Sequence, residues 1–479
     1  MESKMTVENS VKSIPAFEVK IVSDLLKKAR AAQRDYEHYS QQQVDEVVTA
    51  AGWAIMDPAH NRTLAEMAVR DTGLGNVNDK ILKNHRKTLG LLRDLKNAKT
   101  VGIIAEYPEL GLVEIARPVG VVAAITPSTN PAATPANKVI NALKGRNAVI
   151  IAPSPKGLST CIALVAYIHA ELKKIGAPLD LVQTLPAPIT KDATQELMRQ
   201  ADLVVATGSQ NNIRAAYASG TPAFGVGAGN VASIIDSSAN LCDAAKKISS
   251  SKIFDNATSC SSENSVVILD AVYASAIAEL TEAGGILLDG EEKNQLQKIM
   301  WPRGKLDAAV TAQAAPKIAS LAGLKTSRFS EATFLMVEEI GTGSDYPYSG
   351  EKLAPVLTVY RARDFDHACQ IVNALYAYQG AGHSVGIHTA DDEHVLRLGN
   401  ELPVCRVIVN QAHCFATGGS FENGLPFSLS MGCGTWGGNN FSGNMHYQHY
   451  LNITRIVRSI PENMPSEEDI FGTYLRKYS

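Results

Sequence analysis

The sequence predicts an α/β protein built from two doubly wound domains. Three observations carry this. Strand-like runs alternate with helical runs from residue 112 to about residue 230, the order that builds a mostly parallel sheet with helices on both faces. A second alternating block follows from about Val231 to Cys433. The chain has 479 residues, 45% of them hydrophobic, enough for two or three domains with a large core.

Ahead of the first block, residues 18–95 read as amphipathic helices. SDLLKKARAAQRDY opens on Ser23, a residue type that caps helices, and QQQVDEVVTAAGWAI repeats apolar residues at helical spacing. LVEIARPVGVVAAITP is then strand-like, PANKVINALKG helical, NAVIIAP a strand, and TCIALVAYIHAELKKIG a helix closed by Gly176. LVQTLPA, TQELMRQ, ADLVVATG and NNIRAAYASG continue the alternation. The second block runs through VASIIDSSA, VVILDAVY, ASAIAELTEAGG, ATFLMVEEI, VLTVYRA, HACQIVNALYA and VIVNQ. Beyond it, MGCGTWGGNNFSGN is Gly-rich, and HYLNITRIVRSI reads as a strand that pairs with a partner subunit.

Bulk properties exclude several classes. A net charge of −3 and a pI near 6.4 predict no nucleic-acid or anionic-membrane surface. No apolar run approaches the ~20 residues of a membrane span, and MESKMTVENSVKSIP lacks the apolar core of a signal peptide. Seven cysteines without paired spacing argue against a disulfide framework, so a reducing compartment, the cytoplasm, is expected. There is no CxxC, and His383 and His388 in GHSVGIH point to opposite faces of a strand, so no metal is expected.

The chemistry gathers around DNATSCSSENS, Asp255–Ser265. A structural cysteine usually sits in an apolar run. Cys260 has Ser, Thr and Asn around it, which suits a hydrated pocket, although a semi-buried loop cysteine also fits this segment. A free thiol titrates near ~8.5, so Cys260 needs help to react at pH 7. In open parallel sheets ligands bind beyond the carboxyl ends of the strands, and the loops ITPSTNP and ATGSQNN qualify. The stretch FGVGAGN lacks a full GxGxxG and precedes a strand-like run, so its spacing favours a tight turn between two strands.

Seven segments, in order, resemble the aldehyde dehydrogenase superfamily, and most closely its CoA-acylating branch. RPVGVVAAITPSTNP resembles the strand and loop leading to the active-site asparagine, ALKGRNAVIIAPSPKG the adenosine-side strand and turn, and VVATGS the phosphate-side turn. GVGAGN stands where hydrolytic members carry Glu-Leu-Gly-Gly-Lys, and DNATSCSSENS resembles the nucleophile loop. EKLAPVL resembles the segment whose glutamate holds the nicotinamide ribose, and MGCGTWGGNN the acylating branch's C-terminal loop.

The resemblance implies Cys260 as the covalent nucleophile. The Asn130 amide and the Cys260 N–H would form the oxyanion site, with an Asx turn before Pro131 as the alternative role of Asn130 and Thr129 as the slot in hydrolytic members. His383 would shuttle the thiol proton, with a satisfied core histidine as its alternative. Thr126, Pro127, Thr207, Gly208, Ser209 and Gly227 would line the cofactor, Ser154 and Lys156 its adenosine side, and Glu351 its ribose. Hydrolytic members use the motif glutamate as general base for water. Here that position is Val226 or a neighbouring glycine, so a thioester on Cys260 is expected to pass to a thiol, coenzyme A.

The turn Ala152-Pro153-Ser154-Pro155-Lys156 carries no acid, which leans to NADP over NAD, with Lys156 pairing the 2′-phosphate. HCFATGGSF followed by LPFSLSMGCGTWG most resembles members acting on sulfoacetaldehyde; succinate semialdehyde, acetaldehyde and propionaldehyde are the other substrates of the branch. His413, Thr417 and Arg406 are the candidates for holding an anionic aldehyde, although neutral-substrate members also resemble this chain in having an arginine there. The resemblance divides the chain into a nucleotide-binding domain over 1–230, a catalytic domain over 231–435 and an oligomerisation segment over 436–479, to which 101–118 contributes. A homodimer or homotetramer is expected.

Overall fold

The computed structural model describes residues 14–324 and 326–478; the polar stretch 1–13 lies outside them. Four helices open the described chain, Ala16–Tyr36, Gln41–Met56, Pro58–Thr72 and Val77–Leu95. The first begins ahead of Ser23, because Val22, Leu26 and Ala29 continue one buried stripe. Ser23 therefore lies inside the helix, and its hydroxyl donates to Gln200 Oε1 instead of capping.

Two strands, β1 (Gly102–Tyr107) and β2 (Leu112–Pro118), pair antiparallel ahead of the first large sheet. That sheet holds β3 (Val121–Thr126), β4 (Ala148–Pro153), β5 (Val182–Thr184), β6 (Leu203–Ala206) and β7 (Ala223–Gly225). All its pairs are parallel, in the order β5-β4-β3-β6-β7. Every residue of β3 and β4 is buried, as a sheet covered by helices on both faces requires. The apparent single run 112–127 is thus two strands in two sheets. Gly120 makes the turn between them at φ +121°, where a Cβ would lie 2.3 Å from Asp202 Oδ2.

The second parallel sheet has seven strands: β8 (Val231–Ile235), β9 (Glu263–Leu269), β10 (Gly285–Leu287), β11 (Phe334–Glu338), β12 (Val356–Ala362), β13 (Val385–His388) and β14 (Val407–Val409). Their order is β10-β11-β12-β9-β8-β13-β14. The last strand, β15 (Leu451–Val457), pairs antiparallel with β2 of its own chain, Ile453 opposite Ala116. It was expected on a partner subunit; its partner is in the same chain, closing a three-stranded sheet of order β1-β2-β15.

The first sheet reverses its strand order between β3 and β6, and a crevice opens at that switch point beyond their carboxyl ends. The second sheet meets the same crevice with the amino ends of β8, β9 and β12, which differs from the carboxyl-end rule. The link between the sheets is the glycine-rich stretch 226–230, a turn from β7 into β8. Among the described residues, no helix is long and apolar enough to cross a membrane.

Candidate active site

The nucleophile loop leaves the helix Leu241–Ile253 and enters β9. Asp255, Asn256 and Ala257 hold φ of +51°, +51° and +59°, three consecutive left-handed residues without a glycine. Each such residue costs roughly 1–2 kcal/mol, so the turn needs external support. Asp255 supplies it. Its fully buried carboxylate accepts from Lys83 Nζ at 2.6 Å, Lys80 Nζ at 3.0 Å and Thr258 Oγ1 at 2.7 Å, and from the Asn76 N–H at 3.0 Å. Burial pushes this carboxyl upward, but Lys83 and Lys80 outweigh it and hold it below its ordinary value.

Cys260 lines a cleft of about 510 Å³ between the two sheets. Its Sγ lies 3.6 Å from His383 Nε2, while His383 Nδ1 lies 2.7 Å from Ser384 Oγ. Burial pushes the thiol up to about 12, with Glu351 and Cys433 adding to it and its own backbone N–H and Arg406 opposing. Burial likewise lowers His383 to about 3, with repulsion from Arg406 and His413. At rest the pair is a neutral thiol beside a neutral imidazole. In the tautomer that donates from Nδ1 to Ser384, the Nε2 lone pair faces the thiol.

Asn130, in the loop after β3, lines the same cleft. Its Oδ1 accepts from Lys83 Nζ at 2.9 Å, and among the described residues no backbone N–H donates to it to close an Asx turn; its Nδ2 donates to Thr129 Oγ1 at 3.4 Å, which leaves one N–H as a donor. The third Lys83 proton goes to Thr258 Oγ1 at 2.9 Å. One ammonium thus ties together the nucleophile loop, its buried aspartate and the candidate oxyanion donor. Lys80 adds a second tie, to the Thr129 carbonyl at 3.1 Å.

The other walls of the cleft suit a dinucleotide. Thr126 ends β3 and Pro127 follows it, Ser154 follows β4, and Thr207, Gly208 and Ser209 follow β6, all lining it. Ser209 caps the helix Gln210–Ala218, whose amino end favours a pyrophosphate. Thr126 Oγ1 is buried without a partner among the described residues, a hydrogen-bonding atom left for a ligand. Val226, Gly227 and Gly229 form the facing wall. A Cβ on Gly229 would lie 2.1 Å from the Cys260 carbonyl oxygen, so only glycine lets the two segments approach this closely. Glu351 lines the cleft, and burial pushes its carboxyl up to about 8 against Lys352 and Lys252.

Four expected roles need correction. Lys156 lines a neighbouring groove with Ser128 and Thr129, outside the cavity of about 430 Å³ where Ser154 continues towards Thr190; Lys191 lines that cavity instead. Arg406 is buried and donates to the carbonyls of His383, Gly432 and Ser442 and to Asn444 Oδ1, so its guanidinium is a structural tie and does not reach the cleft. His413 and Thr417 lie buried behind the nucleophile loop. His413 Nδ1 sits 2.9 Å from the Ser261 carbonyl and 2.9 Å from Thr417 Oγ1, away from the cleft lining.

The residues missed in the sequence are Lys80, Lys83 and Lys191. The first two share one face of the helix Val77–Leu95, a pattern that reads as a solvated charged face.

Comparison with known proteins shows the family. Residues 4–295 match the model of the aldehyde dehydrogenase family. The chain is 64% identical over 456 residues to a sulfoacetaldehyde dehydrogenase (acylating) of Cupriavidus necator, covering 95% of this chain and 92% of that one. It is 40% identical to a succinate-semialdehyde dehydrogenase (acetylating) of Clostridium kluyveri, over 94% of this chain and 99% of that one. The structure of an acetylating aldehyde dehydrogenase from Geobacillus thermoglucosidasius superposes with a TM-score of 0.90 at 36% identity, covering 95% of this chain and all of that one. With a cysteine on a braced loop between two parallel sheets, and relatives matched over nearly its whole length, the chain belongs to the aldehyde dehydrogenase family.

Proposed function

We propose that the protein is a CoA-acylating aldehyde dehydrogenase that converts sulfoacetaldehyde, coenzyme A and NADP+ to the acyl-CoA and NADPH, reversibly, through a thioester on Cys260. The observation that carries this is the wall Val226–Gly229, which abuts Cys260 and offers no carboxylate to draw a proton from water. Among the described residues, Glu351 is the one carboxylate lining the cleft. Its raised value leaves it largely protonated at neutral pH, which suits it to hold a ribose hydroxyl. The high identity to a protein named for acylating sulfoacetaldehyde oxidation supports the substrate.

As Cys260 Sγ adds to the aldehyde carbon its proton passes to His383 Nε2 in the same step, since the resting pair is neutral, and the C=O pair moves to oxygen. Asn130 Nδ2 and the Cys260 N–H donate to that oxygen as it gains charge. The nicotinamide, when bound, supplies the hydride acceptor that lets the thiohemiacetal on Cys260 become a thioester. A CoA thiolate then adds to the thioester carbon, and Cys260 leaves as thiolate and regains its proton from His383.

On the adenosine side, Lys191 and the absence of a lining acid among the described residues favour NADP. In this reading residues 1–230 bind nucleotide and 231–435 carry the chemistry. Residues 436–479, with 101–118, join subunits into a homodimer or homotetramer. Exposed Val457, Ile470, Phe471 and Tyr474 supply an apolar surface for that assembly. Seven free cysteines suit the reducing cytoplasm.

The test follows nicotinamide reduction with NADP+ and sulfoacetaldehyde, then adds coenzyme A. A burst equal to the enzyme, followed by turnover only after coenzyme A, is expected. Steady turnover with water alone refutes the missing-base argument.

A further inference from the structure

A second, smaller cavity lies against the cleft. Asn130, Ser259 and Leu429 line both spaces, so the two meet beside the nucleophile loop. The smaller cavity has a volume of about 30 Å³, the space of about two ordered waters, so it admits only a compact group and no long chain. Its lining includes Arg86 and Lys87, on the same helix as Lys83, which also lines it, together with Phe254 and Phe415.

These two cations differ from Lys83. The Lys83 ammonium is balanced by Asp255 and has all three protons placed. Lys87 Nζ donates only to the Gly418 carbonyl, at 2.8 Å, which leaves two protons. Arg86 donates to the Phe415 carbonyl at 3.3 Å and Ser420 Oγ at 3.0 Å, which leaves three of its five N–H groups. Among the described residues no carboxylate forms an ion pair with either. The acidic groups that act on Arg86 are the Cys414 thiol and exposed Glu422, and those that act on Lys87 are the Cys414 and Cys260 thiols. Burial lowers the Lys87 ammonium to about 7, with Arg86 adding to it. Aromatic faces offset part of this charge, Phe415, Phe421 and Phe427 under Arg86 and Phe427 under Lys87, yet the free N–H groups of both side chains are left without an acceptor, and an anion joining them would supply one and favour the charged lysine.

We propose that this cavity is the acid-recognition subsite, where Arg86 and Lys87 hold the sulfonate or carboxylate of a short anionic aldehyde while its carbonyl lies at Cys260 and Asn130. The proposal rests on the reading of the protein as an aldehyde dehydrogenase with an anionic substrate. It replaces Arg406, His413 and Thr417, which do not line the cleft, as the source of charge selectivity.

The test compares kcat/KM for sulfoacetaldehyde, succinate semialdehyde and acetaldehyde in the wild type and in Arg86→Met, Lys87→Met and Lys87→Arg. Each Met variant is expected to lower the ratio of anionic to neutral kcat/KM by about 10- to 100-fold, the loss of one charge-assisted hydrogen bond. Lys87→Arg is expected to keep most of the ratio. The larger fall among the two acids identifies which head group the cavity takes. A ratio unchanged in both Met variants, with a wild type that prefers sulfoacetaldehyde, overturns the subsite alone. A wild type indifferent to charge overturns the anionic substrate itself. Should the Met variants fail to fold, ethanesulfonate protection of Lys87 against acetylation in the wild type decides: protection supports the subsite and its absence refutes it.

Discussion

Replacing Lys83 by Met keeps the stem's bulk and removes one ammonium from the centre of the site. Three hydrogen bonds go, to Asp255 at 2.6 Å, Asn130 at 2.9 Å and Thr258 at 2.9 Å. Orphaning a buried carboxylate would cost about 3–5 kcal/mol. Asp255 keeps Lys80, Thr258 and the Asn76 N–H, so the loss is closer to one charge-assisted bond, about 2–3 kcal/mol. Catalysis should suffer separately. Losing an oxyanion donor outright costs about 10²–10³ in rate. Here the Asn130 amide stays but loses its anchor, so a fall of about 10- to 100-fold in the acylation burst is expected, with the aldehyde KM little changed. Urea unfolding and the single-turnover burst read the two effects independently. Asp255 is lowered in the folded state, so its contribution is complete above the unfolded value near ~3.9 and is lost as pH falls through the folded one. The variant raises that folded value, and acid unfolding should start at higher pH. A burst rate within twofold of wild type alongside reduced stability would refute the link from Lys83 to the oxyanion site.

Three further outcomes are expected. Gly229→Ala, whose Cβ would meet the Cys260 carbonyl at 2.1 Å, should cut the burst by about 100-fold or more by displacing the nucleophile, and a burst within threefold of wild type would show that the wall can yield. Alkylation of Cys260 by iodoacetamide, followed on its own peptide because Cys242 is exposed, should rise about tenfold per pH unit through pH 10, since burial holds the thiol near about 12; a plateau by pH 9 would contradict the burial argument. Arg406→Met, which takes the donor away from the His383, Gly432 and Ser442 carbonyls and from Asn444 Oδ1, should lower stability by about 3 kcal/mol in urea unfolding, and a tenfold loss of preference for anionic over neutral aldehydes would restore its expected substrate role.

Both large sheets were legible because their strands are buried on both faces and stand out as compact apolar runs such as VVAAIT and AVIIAP. What periodicity could not supply was partnership. The run 112–127 continues smoothly across two sheets, and the strand near 451 shows no sign of whether its mate lies in its own chain. In the site, Cys260, Asn130 and Glu351 were readable from motif order. Lys80 and Lys83 were not, since lysines at helical spacing look solvated until Asp255, more than 170 residues later, folds over them. Arg406 misled for the opposite reason: a polar residue near a motif gives no hint that neighbouring carbonyls already occupy its donors.

The Lys83 tie also sets how this protein can be recombined. A crossover point between the two parallel sheets, at the glycine turn 226–230, looks like a natural seam for exchanging halves with a relative. Yet Lys83 lies on one side of that seam and Asp255 on the other, so a hybrid whose donor parent has a neutral residue at position 83 would inherit a buried aspartate short of its counter-charge. Residues 80, 83 and 130 would have to travel together with the loop 255–260, and libraries that keep this set intact should yield active hybrids where those that split it do not.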